Sequence, residues 1–165
     1  MGRAAARVTD PVAHPLPPVL TGGPGSPNVL IGNLRAWRGI PLASAGGIVS
    51  AKAVSETGIK AAEAATLAAS ATPGLPAARA AEQATKATAA ASMSSTIVSR
   101  ALGADIHNCA TPLPVPPHGR LVVIGGSRTI LINRLAASRL RYTIVEALEP
   151  PNKILAGCAT VLIGG

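Results

Sequence analysis

One short sequence pattern occurs three times in this chain and limits the folds that it can adopt. The three copies are Gly25-Ser-Pro-Asn-Val-Leu-Ile-Gly32, Gly126-Ser-Arg-Thr-Ile-Leu-Ile-Asn133 and Gly157-Cys-Ala-Thr-Val-Leu-Ile-Gly164. Each copy predicts a turn, then a short strand of β-branched and apolar residues, then another turn. Internal repeats indicate that equivalent small units stack on one another. The repeat therefore predicts short stacked strands.

The composition agrees with this prediction. The 165 residues leave room for one domain with an appended element. The chain has no Phe, and Trp37 and Tyr142 are its single Trp and Tyr, so the aromatic side chains that usually dominate a large core are missing. Its 15 prolines and 17 glycines predict many short turns.

An alanine-rich segment at residues 41–103 separates the first copy from the second. Alanine has the highest helix propensity, and Thr72-Pro73-Gly74 interrupts the segment near its middle. Pro76 stands where a second helix would begin and Gly103 where it would end. The segment therefore predicts an inserted helical hairpin.

Charge spacing adds weak support, because Glu56 with Lys60 and Glu82 with Lys86 are placed four residues apart. Such pairs contribute only about 0.2–0.5 kcal/mol each. No window reaches the roughly 18 uncharged apolar residues that indicate a membrane span. Small residues at close spacing permit close helix contact in water or in lipid, as at Ala61, Ala65, Ala68 and Ala69. A plain packed hairpin and one held by a membrane or a chaperone both remain open.

The two ends of the chain are predicted to meet. The third copy is cut short at Gly165, and the residues expected next occur at the other end, as Ala5-Ala6-Arg7-Val8-Thr9-Asp10. We infer that the N-terminal segment completes the third repeat. The resulting organisation is an N-terminal segment with the first strand repeat at 1–40, the hairpin insert at 41–103, and the remaining repeats at 104–165.

The net charge of +8 allows a nucleic-acid or anionic membrane partner. Nucleic acid is not expected, since almost no aromatic side chain is available to stack on bases. Two cysteines do not indicate a disulfide framework. The N-terminus lacks the apolar core of a secretory signal, so general secretion is not expected.

The histidines indicate a metal site. His14, His107 and His118 are the three in the chain, and all lie in segments rich in Pro or Gly. With the thiolate of Cys109 they make four ligands, which suits tetrahedral structural zinc. The His107-x-Cys109 spacing places both side chains on one side of an extended segment. Singly, each histidine is equally typical of a solvated loop.

Three other residues near this set have open roles. Cys158 is a competing sulfur ligand, but it occupies the position of Ser26 in the repeat and is expected to be a small buried residue. Asp10 and Asp105 either orient ligand histidines or cap turns. No nucleophile elbow, phosphate loop or carboxylate pair is present, and we predict that the chain is not an enzyme.

Two segments of this sequence resemble a known family. Ala5-Ala6-Arg7-Val8-Thr9-Asp10-Pro11-Val12-Ala13-His14 is similar to the prePAAR motif, Ala-Ala-Arg-x-x-Asp-x-x-x-His, at every fixed position. The segment from Asp105 to Gly119 is similar to the first arm of a PAAR domain. The chain departs from the family where Arg35-Ala36-Trp37-Arg38-Gly39 and Ser138-Arg139-Leu140-Arg141-Tyr142 replace Pro-Ala-Ala-Arg-x-Gly-Asp, and the sequence gives no reason for the added arginines.

The resemblance implies a mainly β fold: a small cone of short β-hairpins with structural zinc at its tip, plus the inserted helical hairpin. Its implied function is that of a structural spike-tip protein, which caps the VgrG trimer of a bacterial type VI secretion system, sharpens it with the bound zinc, and carries or recruits an effector for delivery into target cells. Expected partners are VgrG, an effector chaperone or a membrane at the hairpin, and a C-terminal toxin domain in a longer chain. The expected location is the bacterial cytoplasm before firing and the target cell or medium afterwards. The alternative is a membrane-acting module whose hairpin binds anionic lipid.

Overall fold

The computed structural model describes residues 2–13, 17–109, 119–146, 148 and 150–164. Two helices, α1 (Leu42–Ala68) and α2 (Leu75–Ala101), lie between two groups of short strands. The strands are β1 (Arg3–Ala5), β2 (Leu30–Ile31), β3 (Leu34–Arg35), β4 (Arg38–Gly39), β5 (Ile106–Cys109), β6 (Gly119–Val123), β7 (Leu131–Ile132), β8 (Leu135–Ala137), β9 (Thr143–Val145), β10 (Asn152–Lys153) and β11 (Cys158–Ile163).

The strands form several small antiparallel sheets. β10, β9, β6 and β5 make a four-stranded sheet, β4, β8 and β7 a three-stranded one, and β2–β3 and β1–β11 are two-stranded pairs. The expectation of a mainly β chain is met only loosely, because two 27-residue helices take up more of the described residues than the strands do. The chain is a mixed α and β protein.

The predicted helical hairpin is present at the predicted place. α1 follows Pro41, α2 follows Gly74, and Pro76 occupies the first turn of α2, where its missing N–H costs nothing. α2 ends where Leu102 and Gly103 turn into the left-handed region, with φ of 49° and 89°. Gly103 adopts this conformation without the steric cost that a side chain imposes.

The two helices pack against each other and against the strands. Ile48 of α1 and Met93 and Ile97 of α2 are fully buried and share one apolar cluster with Val122 of β6 and Val145 of β9. Of the four alanines whose spacing would permit close helix contact, Ala61, Ala65 and Ala68 are exposed and Ala69 is half-buried.

Ion pairs in the hairpin partly follow the sequence prediction. Lys86 Nζ lies 2.7 Å from Glu82 as predicted, and it also reaches Glu63 across the helix contact at 2.8 Å. Glu56 instead contacts Lys52, at 3.3 Å. Lys86 therefore joins α1 to α2.

The two ends of the chain meet, as the third repeat predicted. β1 pairs antiparallel with β11, with Arg3 opposite Ile163 and Ala4 opposite Leu162. The same register relates Leu34 to Ile31 and Leu135 to Ile132 in the other two copies. The structure thus has three equivalent hairpins: repeat 1 (β2–β3), repeat 2 (β7–β8) and repeat 3 (β11–β1).

Candidate docking surface and metal site

The three repeats are joined by a closed ring of backbone hydrogen bonds. The shared register makes Ala6, Trp37 and Ser138 equivalent. The N–H of Ala6 donates to Ser138 O (2.9 Å), that of Ser138 to Trp37 O (3.1 Å), and that of Trp37 to Ala6 O (2.9 Å). Because each repeat donates to one neighbour and accepts from the other, the ring relates the repeats by approximate three-fold rotation.

Side chains inside the repeats keep the same symmetry. Three isoleucines and three alanines at equivalent positions form one buried cluster, together with Cys158: Ile31, Ile132, Ile163, Ala5, Ala36 and Ala137. The alanines are fully buried. The three converging strands leave room for only a methyl group at each of these positions. A larger side chain would therefore have to displace its neighbours.

A leucine precedes each buried isoleucine and faces the opposite way, because successive side chains alternate along a strand. Leu30, Leu131 and Leu162 are 63%, 61% and 62% exposed. Single exposed leucines are ordinary, but three with the same exposure at equivalent positions form a repeated surface feature. We call this surface the base.

Hydrogen bonds from small polar side chains join neighbouring repeats at the base. Ser26 Oγ donates to Asn133 Oδ1 (2.7 Å), and Ser127 Oγ donates to Gly164 O (2.7 Å). Cys158 takes the third equivalent position, where a Cβ built on Gly32 would lie 3.2 Å from its Sγ. Cys158 is buried beside Thr160, whose hydrogen bond lowers the pKa of the thiol. The expectation of a small buried residue is confirmed.

Each repeat also places an arginine at one equivalent position. The guanidinium and backbone N–H of Arg7 donate to Asp10, with Nη2–Oδ1 at 2.8 Å and N–Oδ2 at 2.7 Å. Arg38 does the same with Asp105, at 2.8 Å for both contacts. Both aspartates therefore bind arginine, and neither orients a histidine in the described contacts.

Tyr142 occupies the corresponding position in repeat 2. Its N–H donates to Arg139 O (3.1 Å), just as Asp10 donates to Arg7 O (3.2 Å) and Asp105 to Arg38 O (3.0 Å). The Arg139 guanidinium lies 4.7 Å from the Tyr142 ring centroid, which is a cation–π contact. Arg7, Arg38 and Arg139 thus stabilise the turn after each hairpin, whereas these contacts do not explain the added Arg35 and Arg141.

This pairing shows where the helical hairpin is inserted. Asp10 follows Arg7 by three residues, whereas the whole hairpin lies between Arg38 and Asp105. The two halves of the interrupted turn are still joined by the same ion pair as in repeat 3. The insert therefore leaves the repeat around it unchanged.

Of the four predicted metal ligands, His107 is the one whose side chain the structure describes. It is 1% exposed, and its Nδ1 lies 3.1 Å from Thr21 O and 3.2 Å from Thr21 N. When Nδ1 donates to that carbonyl, Nε2 keeps the lone pair that a metal ion requires. His14 and His118 lie outside the described residues, and Cys109 is described only as part of β5.

Within the described ranges, no three His, Cys, Asp or Glu side chains form a metal-binding group. His107 fits a zinc ligand in its burial and in its backbone contact. It does not by itself make a site.

No protein-family model, curated protein or solved structure matched the chain. Any role for the base, the hydrogen-bonded ring and His107 must therefore be inferred from their geometry alone.

Glu146 is a buried residue that the sequence reasoning missed. It follows Tyr142 by four residues, as His14 follows Asp10 and Cys109 follows Asp105, so it holds the same place in its repeat as two predicted ligands. Glu146 is fully buried and accepts a hydrogen bond from Asn152 Nδ2. Aligning the repeats on their Arg-x-x-Asp turns would have identified it.

The helical hairpin has a groove of about 600 Å³ between its helices. All ten lining residues are uncharged, including Val54, Gly58, Ala84 and Met93. Among the described residues, neither helix combines the length and apolarity needed to cross a membrane.

Proposed function

We propose that the chain is a structural spike-tip protein that caps the VgrG trimer of a type VI secretion system, sharpens it with a bound zinc, and carries or recruits an effector for delivery into target cells. The observation that supports this best is the three-fold base, with its hydrogen-bonded ring and three equally exposed leucines. A trimer presents every surface feature three times around its axis. A single chain can make the same contact with all three subunits of a trimer only if it carries three copies of its own contact surface.

The conical PAAR fold belongs to this proposal. Three small hairpins form the base, and the segments that follow the Arg38–Asp105 and Arg139–Tyr142 turns continue into β5 and β9. Short turns of this kind bury little apolar area, and a structural metal supplies the missing folding free energy. We propose zinc held by His14, His107, Cys109 and His118 at the opposite end from the base.

The zinc proposal is tested on the purified chain without any partner. We expect about one equivalent of zinc by elemental analysis, and a lower unfolding temperature after His14→Ala or His107→Ala. Less than about half an equivalent, or unchanged stability of the His14→Ala variant, would remove the tip site from the proposal while leaving the base untouched.

Docking is tested with a matched pair of substitutions. Leu131→Glu places a carboxylate at the base, and Leu67→Glu places one at a comparably exposed leucine of α1 (74%). We expect Leu131→Glu to abolish binding to a purified VgrG trimer, measured by interferometry, and Leu67→Glu to leave it unchanged. Equal binding by both variants would refute the docking role of the base.

The helical hairpin is proposed to bind a second partner. Its uncharged groove and exposed Val54 (76%) suit an apolar partner, which we propose is an effector chaperone or the target membrane. A toxin domain in a longer chain would supply any enzymatic activity. The alternative function, a membrane-acting module, predicts strong and salt-sensitive flotation with anionic liposomes and no affinity for the trimer.

A further inference from the structure

The three hairpins that form the base carry exposed arginines and, among the described residues, no acidic side chain. Four exposed arginines, which we call the arginine rim, lie on the strands and turns of the three repeats: Arg3, Arg35, Arg128 and Arg134. The seven acidic residues of the chain all lie outside these hairpins, at Asp10, Glu56, Glu63, Glu82, Asp105, Glu146 and Glu149.

Every repeat contributes to the rim. Arg35 pairs with Leu30 across the β2–β3 hairpin, so the two side chains share a face. Arg3 begins β1 in repeat 3, and Arg134 lies in the turn between β7 and β8 with φ of 65°. Arg128 precedes β7 in the same repeat. Each of the three hairpins therefore carries at least one exposed arginine.

We propose that the base recognises an acidic three-fold partner end, in which apolar depressions for the three leucines are bordered by carboxylates. This inference rests on the proposed function for the symmetry of the partner, and it adds the partner's chemistry. Guanidinium groups bind carboxylates with paired hydrogen bonds of fixed geometry. Charges at the edge of an interface accelerate association and exclude wrong partners more than they add affinity.

The surroundings of the rim favour a protein carboxylate over nucleic acid. Trp37 is 1% exposed, and the Tyr142 ring is covered by Arg139, so neither aromatic ring is available to stack on bases beside the rim. The leucines interleaved with the arginines instead need apolar surface opposite them.

The test uses the full chain, a purified VgrG trimer, and two triple variants of the chain. The rim variant is Arg3→Glu/Arg35→Glu/Arg134→Glu. The control variant, Lys60→Glu/Arg79→Glu/Lys153→Glu, changes net charge equally at exposed residues away from the base. Unfolding curves followed by Trp37 fluorescence establish that both variants fold.

Association rate constants are measured at about 50 and 300 mM NaCl. We expect the wild type and the control to associate at least tenfold faster at low salt. We expect the rim variant to associate at least tenfold more slowly than both at low salt and to lose most of the salt dependence.

The possible failures are distinguishable. If the rim variant associates like the control while Leu131→Glu does not bind, the acidic partner is refuted and the docking function stands. If the wild type does not bind the trimer but binds DNA or phosphatidylglycerol vesicles through the arginine rim, the docking function and the acidic partner are both refuted.

Discussion

The pairs Arg38–Asp105 and Arg7–Asp10 have nearly the same geometry but different burial, and this difference predicts a large gap in mutational cost. The Asp105 carboxylate is fully buried and accepts bonds from Arg38 N, Nε and Nη2 at 2.8, 3.0 and 2.8 Å. Asp105→Ala leaves the guanidinium of Arg38, which is 9% exposed, without its carboxylate. Removing one partner of a buried pair costs about 3–5 kcal/mol.

Asp10→Ala is the matched control. The Arg7 side chain is 19% exposed, so water can solvate its guanidinium once the carboxylate is gone. We expect a smaller cost of about 1.5–3 kcal/mol, the range for hydrogen bonds to charged groups. The gap arises from burial alone, because the number and lengths of the contacts are similar.

Urea unfolding at saturating zinc measures both variants. Trp37 is the single Trp and is fully buried within the repeats, so its fluorescence reports this part of the chain separately from the helices. With a slope of about 1.5 kcal/mol per M urea, a loss of about 4 kcal/mol lowers the midpoint by roughly 2.7 M. Equal midpoints for Asp105→Ala and Asp10→Ala would refute the argument from burial.

Three further predictions concern other contacts. Gly157→Ala should destabilise the chain by more than about 1 kcal/mol, because the new Cβ would lie 2.5 Å from a carbonyl oxygen of β1, whereas Gly46→Ala, in an open helical position, should stabilise it by about 0.5–1 kcal/mol in the same urea assay. The hydrogen bond from Lys86 lowers the pKa of Glu82, so its contribution is present above the ordinary glutamate pKa of about 4.3 and is lost as pH falls through the lowered value; circular dichroism melts should show this acid-side loss for the wild type and not for Glu82→Gln. Tyr142→Leu should cost about 0.5–2 kcal/mol through the lost cation–π contact while Tyr142→Phe keeps most of it, and equal urea midpoints for the two would contradict this.

The sequence predicted those features that depend on local chemistry. Alanine content with Thr72-Pro73-Gly74 and Gly103 predicted the helical hairpin and its limits, because helix propensity and breaking are properties of neighbouring residues. The strand repeat predicted three short hairpins. It also predicted that the chain ends meet, since an incomplete unit must find its missing strand.

Other features could not be predicted, because they depend on distant segments. Which carboxylate binds Arg38 is decided across the whole insert, and Tyr142 replaces a carboxylate with an aromatic ring that no spacing rule required. Glu56 was expected to pair with Lys60 but pairs with Lys52 instead. Lys52 is a buried residue of α1, and its burial depends on the packing of distant segments.

The sequence by itself thus determined the number of repeats and the presence of the hairpin, because both follow from short-range patterns of β-branched residues, alanine, glycine and proline. The tertiary structure alone decided that the repeats close into a ring. A backbone hydrogen bond such as that from Trp37 to Ala6 depends only on where the main chain is placed, and side-chain identity does not encode it. The same closure buries Ile132 among the three repeats and leaves Leu131 exposed at the base.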